Sequence, residues 1–352
     1  MNQIRIIGLG PNHKEQIPLG LYQILKNEPI IYTRTEDHPA VKELRAEGLQ
    51  IESFDWVYEA YVDNFDDVYE RITQELLDLA KDKPIVYTVP GHPKVAEKSV
   101  ELLQKSEADV KILGGKSFID DLFSAVNVDP VEGFQLLDSF DLNPDELQTG
   151  QHIIVMQVFN ALIASDVKLS LMEQYPDEYP IYVIDEAGGK NERIRKIPLA
   201  ELDYFEGEYN LRSIYVPPMD RDERVRSFST LMTYTDEIIS DDGDAWIIEQ
   251  TPQSLVKYLK EETAELIEAI EVEDDELVVE ELGDVLMQVV YQAKLGERIG
   301  YYTMEDVLEA LNKKLRRRHP HVFDGVKANT PEEVDQLWQQ IKEQERIMND
   351  ET

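Results

Sequence analysis

Three features of the sequence predict an α/β domain with a mostly parallel sheet, followed by an all-α helical bundle. Short β-rich runs alternate with amphipathic stretches over about the first 220 residues. After Asp220 those runs disappear, and five long stretches of helical periodicity replace them. The 352 residues also suit two domains, at roughly 150 residues each. The expected domains are 1–219 and 220–352.

In chain order, the expected strands are Ile4–Leu9, Ile30–Thr33, Ile85–Val89, Val110–Leu113, Ile153–Val158, Ile181–Asp185 and Ser213–Val216. Helices lie between them. Val68, Ile72, Leu76, Leu77 and Ala80, for example, are spaced along one helix face. Val216-Pro217-Pro218 ends the last strand, because proline has no N–H for the ladder. The later helices are Arg224–Ile239, Gln253–Ile270, Glu276–Gly296, Thr303–Arg318 and Pro331–Met348. Acidic and glycine turns separate them, and Pro320 reads as a helix stop.

Charge narrows the function. There are 35 basic and 72 acidic side chains, a net charge of −37. Residues 221–352 hold 15 of the basic and 32 of the acidic ones, so both halves are acidic. No basic face exists for duplex nucleic acid. A small phosphate ligand is compatible with this, because a few clustered cations overcome the mean field locally. The absence of cysteine excludes disulfides, thiolate metal sites and cysteine nucleophiles. The start MNQIRIIGLG reads as a strand and a glycine turn rather than a signal peptide. No apolar run approaches about 18 residues, so no membrane partner and a cytoplasmic location are expected.

In the helical domain, Glu262 and Glu265 are three apart on one helix, and Glu281 and Asp284 three apart on the next. Each pair shares a helix face. The second helix, with Leu277-Val278-Val279, Val285-Leu286-Met287 and Val289-Val290, is apolar nearly all round. Unpaired carboxylates buried there would cost several kcal/mol or more. A divalent cation with hard oxygen ligands, Mg²⁺ above all, compensates them. The competing surface reading pairs the first-helix acids with Lys257 and Lys260; the acid pair inside an apolar helix favours the metal. Lys313-Lys314-Leu315-Arg316-Arg317-Arg318 then sets five cations at a helix C-terminus. Some of them complement the helix dipole, and the whole cluster suits a polyphosphate substrate. His319 and His321 lack matched metal partners and read as turn-stabilising.

These motifs, Glu261-Glu262-x-x-Glu265, then Glu281-x-x-Asp284, then Lys314 to Phe323, resemble the MazG family of nucleoside triphosphate pyrophosphohydrolases. Trp246, Gln250, Ser254-Leu255 and the Trp338–Lys342 segment extend the resemblance over about residues 222–348. It implies cleavage of nucleoside triphosphates to NMP and pyrophosphate with Mg²⁺. Glu262, Glu265, Glu281 and Asp284 would be the metal ligands, and Lys314 and Arg318 would hold phosphates. Trp338 and Lys342 would lie near the base or the triphosphate, with Trp246 and Arg317 also on the substrate side. A water deprotonated at the ion, or by a nearby carboxylate such as Glu261, would attack phosphorus. Where the family usually carries Cys-Pro-Trp-Asp, this chain has Asp244-Ala245-Trp246-Ile247. That departure supports an alternative: a nucleotide-sensing and dimerisation module with little turnover. The resemblance also implies at least a homodimer through the helical domain. The excess apolar surface of Val278, Leu282, Val285, Leu286, Val289 and Val290 leads to the same expectation.

In the first domain, Gly8-Leu9-Gly10-Pro11 follows the first strand, and Tyr87-Thr88-Val89-Pro90-Gly91-His92-Pro93 closes another. Two glycine turns at the carboxyl ends of strands fit one ligand pocket. No third fingerprint glycine and no P-loop lysine follow. The arrangement resembles the tetrapyrrole methylase family of S-adenosylmethionine (SAM)-dependent enzymes over about residues 1–219. By that resemblance Gly8, Gly10, Pro90, Gly91, His92, Pro93 and Met156 would contact SAM. The family's first loop commonly continues Gly-Asp, whereas this chain has Asn12-His13. The pairing of the two domains resembles a bifunctional type of protein.

Overall fold

The computed structural model describes residues 2–60, 65–204 and 211–350. The chain divides into two compact units, Met1–Arg224 and Val225–Thr352.

Among the described residues the first unit holds ten strands: β1 Ile4–Gly8, β2 Ile31–Thr33, β3 Ile51–Ser53, β4 Ile85–Val89, β5 Val110–Gly114, β6 Phe134–Asp138, β7 His152–Met156, β8 Pro180–Asp185, β9 Arg193–Pro198 and β10 Ser213–Val216. They form two five-stranded sheets, ordered β3-β2-β4-β1-β5 and β6-β7-β10-β8-β9. The first sheet is wholly parallel. The second pairs β6 with β7 in parallel and the rest antiparallel. Five of the eight pairings are parallel, in keeping with the expected α/β class. The separation into two sheets is new.

Burial explains which strands show in the sequence. Along β1 and β4, Ile6 and Tyr87 pack in one core while Ile7 and Val86 pack in another across the sheet. A strand buried on both faces reads as an unbroken apolar run. The strands β3, β6 and β9 went unseen, and all three are sheet edges. Ile51-Glu52-Ser53 and Arg193-Ile194-Arg195-Lys196 carry polar side chains into partly exposed strands, as edges do.

The second unit contains the expected helices: Phe228–Ile239, Val256–Glu271, Asp275–Arg298, Met304–Arg318 and Pro331–Asp350. Two short ones, Ala245–Ile248 and Pro320–Phe323, are added. Pro320 therefore begins a turn of helix rather than only ending one, a first-turn position that proline tolerates. Val256–Glu271 and Asp275–Arg298 form a helical hairpin. Glu273 takes a left-handed backbone (φ 56°) in its short connection, and Asp274 caps the second helix by accepting from the Leu277 N–H. Among the described residues, no helix is long and apolar enough to cross a membrane.

Candidate functional site

The hairpin sets the carboxylate geometry. Glu265 and Glu281 lie eight residues either side of Glu273, and Glu262 and Asp284 eleven. An antiparallel hairpin about Glu273 thus sets Glu265 opposite Glu281 and Glu262 opposite Asp284. Carboxylate oxygens of Glu262, Glu265 and Glu281 come within 4.8 Å of one another. Glu281 is buried (9% exposed), and its Oε2 has no hydrogen-bond partner among the described residues. Burial, followed by repulsion from Glu265 and Asp284, raises the Glu281 carboxyl above its usual range. Glu262 is raised in the same way, with Asp284 its strongest charged neighbour. Asp284 lies outside the group of three but acts on it electrostatically. Glu261 is exposed and also outside the group. Three hard-oxygen donors with one buried, unsatisfied oxygen suit a Mg²⁺-sized cation.

The cation cluster is sorted by its partners. Lys313 pairs with Glu309, and Arg316 donates to Asp324. Arg317 and Arg318 both donate to Glu345 on the last helix. Lys314 makes no ion pair among the described residues. Arg318 lies over the Trp338 ring at 5.6 Å and Lys342 over the same ring at 4.8 Å. Trp338 lines a groove of about 780 Å³ with His319, Asn329, Thr330 and Asp335, and its Nε1 is buried without a partner among the described residues. His319 Nδ1–H donates to the Leu315 carbonyl oxygen at 2.7 Å, in keeping with a turn-stabilising role. No ion pair or hydrogen bond among the described residues joins this cluster to the carboxylates.

Trp246 sits in the short Ala245–Ile248 helix, half exposed and edge-on to Tyr258 at 5.3 Å. Asp244 caps that helix, its Oδ1 accepting from the Trp246 and Ile247 N–H groups. Asp244 thus serves as the N-cap of the helix that carries Trp246.

In the first unit, the strand-end glycines converge. Gly10 and Gly91 exchange backbone hydrogen bonds at 3.2 and 2.9 Å. A Cβ on Gly8 would run into the Gly91 carbonyl oxygen and lie 2.8 Å from Pro93 Cδ; one on Gly115 would lie 2.6 Å from Gly8 Cα. So loops after β1, β4 and β5 lock together, and Gly115 is a member that the two-loop reading lacks. Its signal was the Gly114-Gly115 pair ending β5. Gly91 (φ 63°) and Gly114 (φ 107°) instead face open space where a Cβ would stand, so a ligand can approach their backbone closely. Pro90 and His92 flank Gly91, and His92 Nδ1 accepts from the Lys94 N–H. Met156 ends β7 in the second sheet rather than the first.

His38 supports the first loop from below. Its Nδ1 accepts from the Ala40 N–H at 3.2 Å, leaving Nε2–H to donate to the Gly10 carbonyl at 3.0 Å. Burial is the main cause that pulls its pKa below 6.5, against the Gly10 bond. A depressed folded pKa gives stability that is complete above 6.5 and drains as pH falls toward the folded value. The melting temperature should therefore fall as pH drops below about 6.5, and His38→Asn should flatten that slope. Equal slopes would contradict this.

The chain is similar to known proteins in both units. A family model, Tetrapyrrole (Corrin/Porphyrin) Methylases, matches residues 3–203, and a second, MazG nucleotide pyrophosphohydrolase domain, matches residues 250–323. The uncharacterized protein YabN of Bacillus subtilis is 42% identical over 349 residues, covering 98% of this chain and 71% of that one. The nucleoside triphosphate pyrophosphohydrolase/pyrophosphatase MazG of Thermotoga maritima is 44% identical over 119 residues, 34% of this chain and 45% of that one. This chain thus spans less than half of that relative. Among solved structures, uroporphyrin-III-C-methyltransferase from Thermus thermophilus aligns with a TM-score of 0.48 and 18% identity, over 62% of this chain and 92% of that one.

Proposed function

The chain belongs to the tetrapyrrole methylase family and to the family of YabN, with a MazG nucleotide pyrophosphohydrolase domain in its helical unit; on that premise we propose that the helical unit hydrolyses nucleoside triphosphates to NMP and pyrophosphate with Mg²⁺. The carboxylate group of Glu262, Glu265 and Glu281 carries this reading. A divalent cation bound there would polarise phosphate oxygens and lower the pKa of a water. Glu262, Glu265 and Glu281 would hold it, with the Asp284 charge acting on Glu262 and Glu281. Glu261, exposed beside them, takes the proton of the attacking water. The water oxygen bonds to phosphorus as the bond to the α–β bridging oxygen breaks. Lys314, which makes no ion pair among the described residues, meets the charge that grows on the departing oxygen. Arg317 and Arg318 hold phosphates, while Trp246, Trp338 and Lys342 hold the rest of the nucleotide.

The test is product analysis with purified protein, each common NTP and Mg²⁺. NMP and pyrophosphate should appear in equal amounts, and neither with EDTA. Tight nucleotide binding without turnover would make this unit a nucleotide sensor instead.

The first unit, on this reading, binds SAM at the strand-end loops, supported by the open faces of Gly91 and Gly114. The protein works in the cytoplasm as a homo-oligomer. Val279 (71% exposed), Leu282, Leu286 and Val289 form an apolar stripe on the second carboxylate helix, a surface that isolated soluble units seldom leave bare. Val290, by contrast, is buried within the unit. Leu286→Glu should give a species of half the native mass or less in light scattering; an unchanged mass would refute the stripe as the interface.

A further inference from the structure

Two of the cluster's cations share a single carboxylate. Arg317 Nε donates to Glu345 Oε1 at 2.6 Å. Arg318 donates from Nε to the same oxygen at 3.2 Å and from Nη2 to Oε2 at 2.6 Å. Both oxygens are thus used, and Glu345 is largely shielded, its side chain 18% exposed. Arg318 Nη1 and both terminal nitrogens of Arg317 make no hydrogen bond among the described residues. Trp338, Lys342 and Glu345 are spaced four and three residues apart, so one face of the last helix presents all three. Arg318 meets that face at two points, bonding the carboxylate and lying over the ring.

We propose that Glu345 is the positioning residue of the phosphate site, holding Arg317 and Arg318 side by side with their remaining N–H edges turned to the triphosphate. This rests on the reading of the helical unit as a triphosphate hydrolase. Long side chains lose rotamer freedom when a ligand fixes them, and that loss weakens binding. A guanidinium already clamped by a carboxylate has lost most of that freedom beforehand. Two cations around one anion still leave a net positive charge for phosphate. The Arg318 and Arg317 bonds hold the Glu345 carboxyl down at about 2, so the clamp stays ionised at any working pH.

The competing role is neutralisation. In that case Glu345 would only shield the cations, and removing it would strengthen anion binding. The two roles differ in sign. Full-length wild type, Glu345→Ala, Glu345→Gln and Glu345→Asp would be compared by KM and kcat for NTP hydrolysis. Calorimetric Kd for inorganic pyrophosphate, which needs no turnover, would be read alongside. Positioning requires KM and the pyrophosphate Kd to rise together by about tenfold in Glu345→Ala. It also requires kcat to move far less, the pH profile to keep its shape, and Glu345→Asp to recover part of the loss. If the alanine variant does not fold, Glu345→Gln, which keeps the shape, gives the reading. Unchanged or tighter pyrophosphate binding would overturn the proposal. A wild type without turnover removes the hydrolase reading, and the Kd still decides the role of Glu345.

Discussion

Glu281→Gln is expected to lower kcat/KM for triphosphate hydrolysis by about a hundredfold or more while raising the melting temperature of the metal-free protein. Glutamine keeps the shape and removes one charge. With that charge goes part of the grip on the cation, so activation of water and neutralisation of phosphate fail together. The stability effect has the opposite sign. Burial and the nearby Glu265 and Asp284 charges raise the Glu281 carboxyl, so its ionised form opposes folding. A raised folded pKa means this strain is absent at low pH and grows as pH rises through the folded value. In EDTA at neutral pH the variant should melt higher than wild type. With excess Mg²⁺ the gap should shrink or reverse, because wild type gains more from the bound ion. A surface acid would change stability by only about 0.5 kcal/mol and leave activity intact; that pair of results would remove Glu281 from the site. Glu265→Gln and Asp284→Asn should lose activity in the same way.

The second large effect separates two glycines of the interlocked strand-end loops. Gly8→Ala should destabilise the first unit by about 3 kcal/mol, because the new methyl meets Gly91 backbone and Pro93, neither the yielding tip of a flexible side chain. Gly91→Ala meets nothing within 4 Å. It bears only the left-handed backbone cost of about 1–2 kcal/mol, and its methyl fills the space open to a ligand. The fold should survive in Gly91→Ala while calorimetric SAM binding weakens or vanishes. Equal melting of Gly8→Ala and wild type would refute the packing account. Undiminished SAM binding by Gly91→Ala would refute the pocket.

What the sequence made legible follows from burial and spacing. Ile85–Val89 was visible because both its faces are apolar; Phe134–Asp138 and Arg193–Pro198 were not, because an edge strand needs little apolar signal. The carboxylates were legible as i, i+3 pairs. Their pairing across the hairpin is written in their equal distances from Glu273, a signal visible once that residue is known to be the turn. Glu345 was not legible as a partner of Arg317 and Arg318. That contact depends on the rotation at which two helices meet, and helical periodicity fixes only which residues share a face. The contact of Arg318 with the Trp338 ring was likewise invisible, since the two come from different helices, whereas Lys342 lies one turn from Trp338 on the same helix.

The most direct test of the central claim is a Mn²⁺ titration followed by electron paramagnetic resonance, with Mn²⁺ standing in for Mg²⁺ at an oxygen site. Wild type should bind Mn²⁺ saturably, Mg²⁺ should compete for it, and Glu262→Gln, Glu265→Gln and Glu281→Gln should each weaken it by about tenfold or more. Mn²⁺ binding that is equal in wild type and all three variants would contradict the assignment of these carboxylates as the metal site.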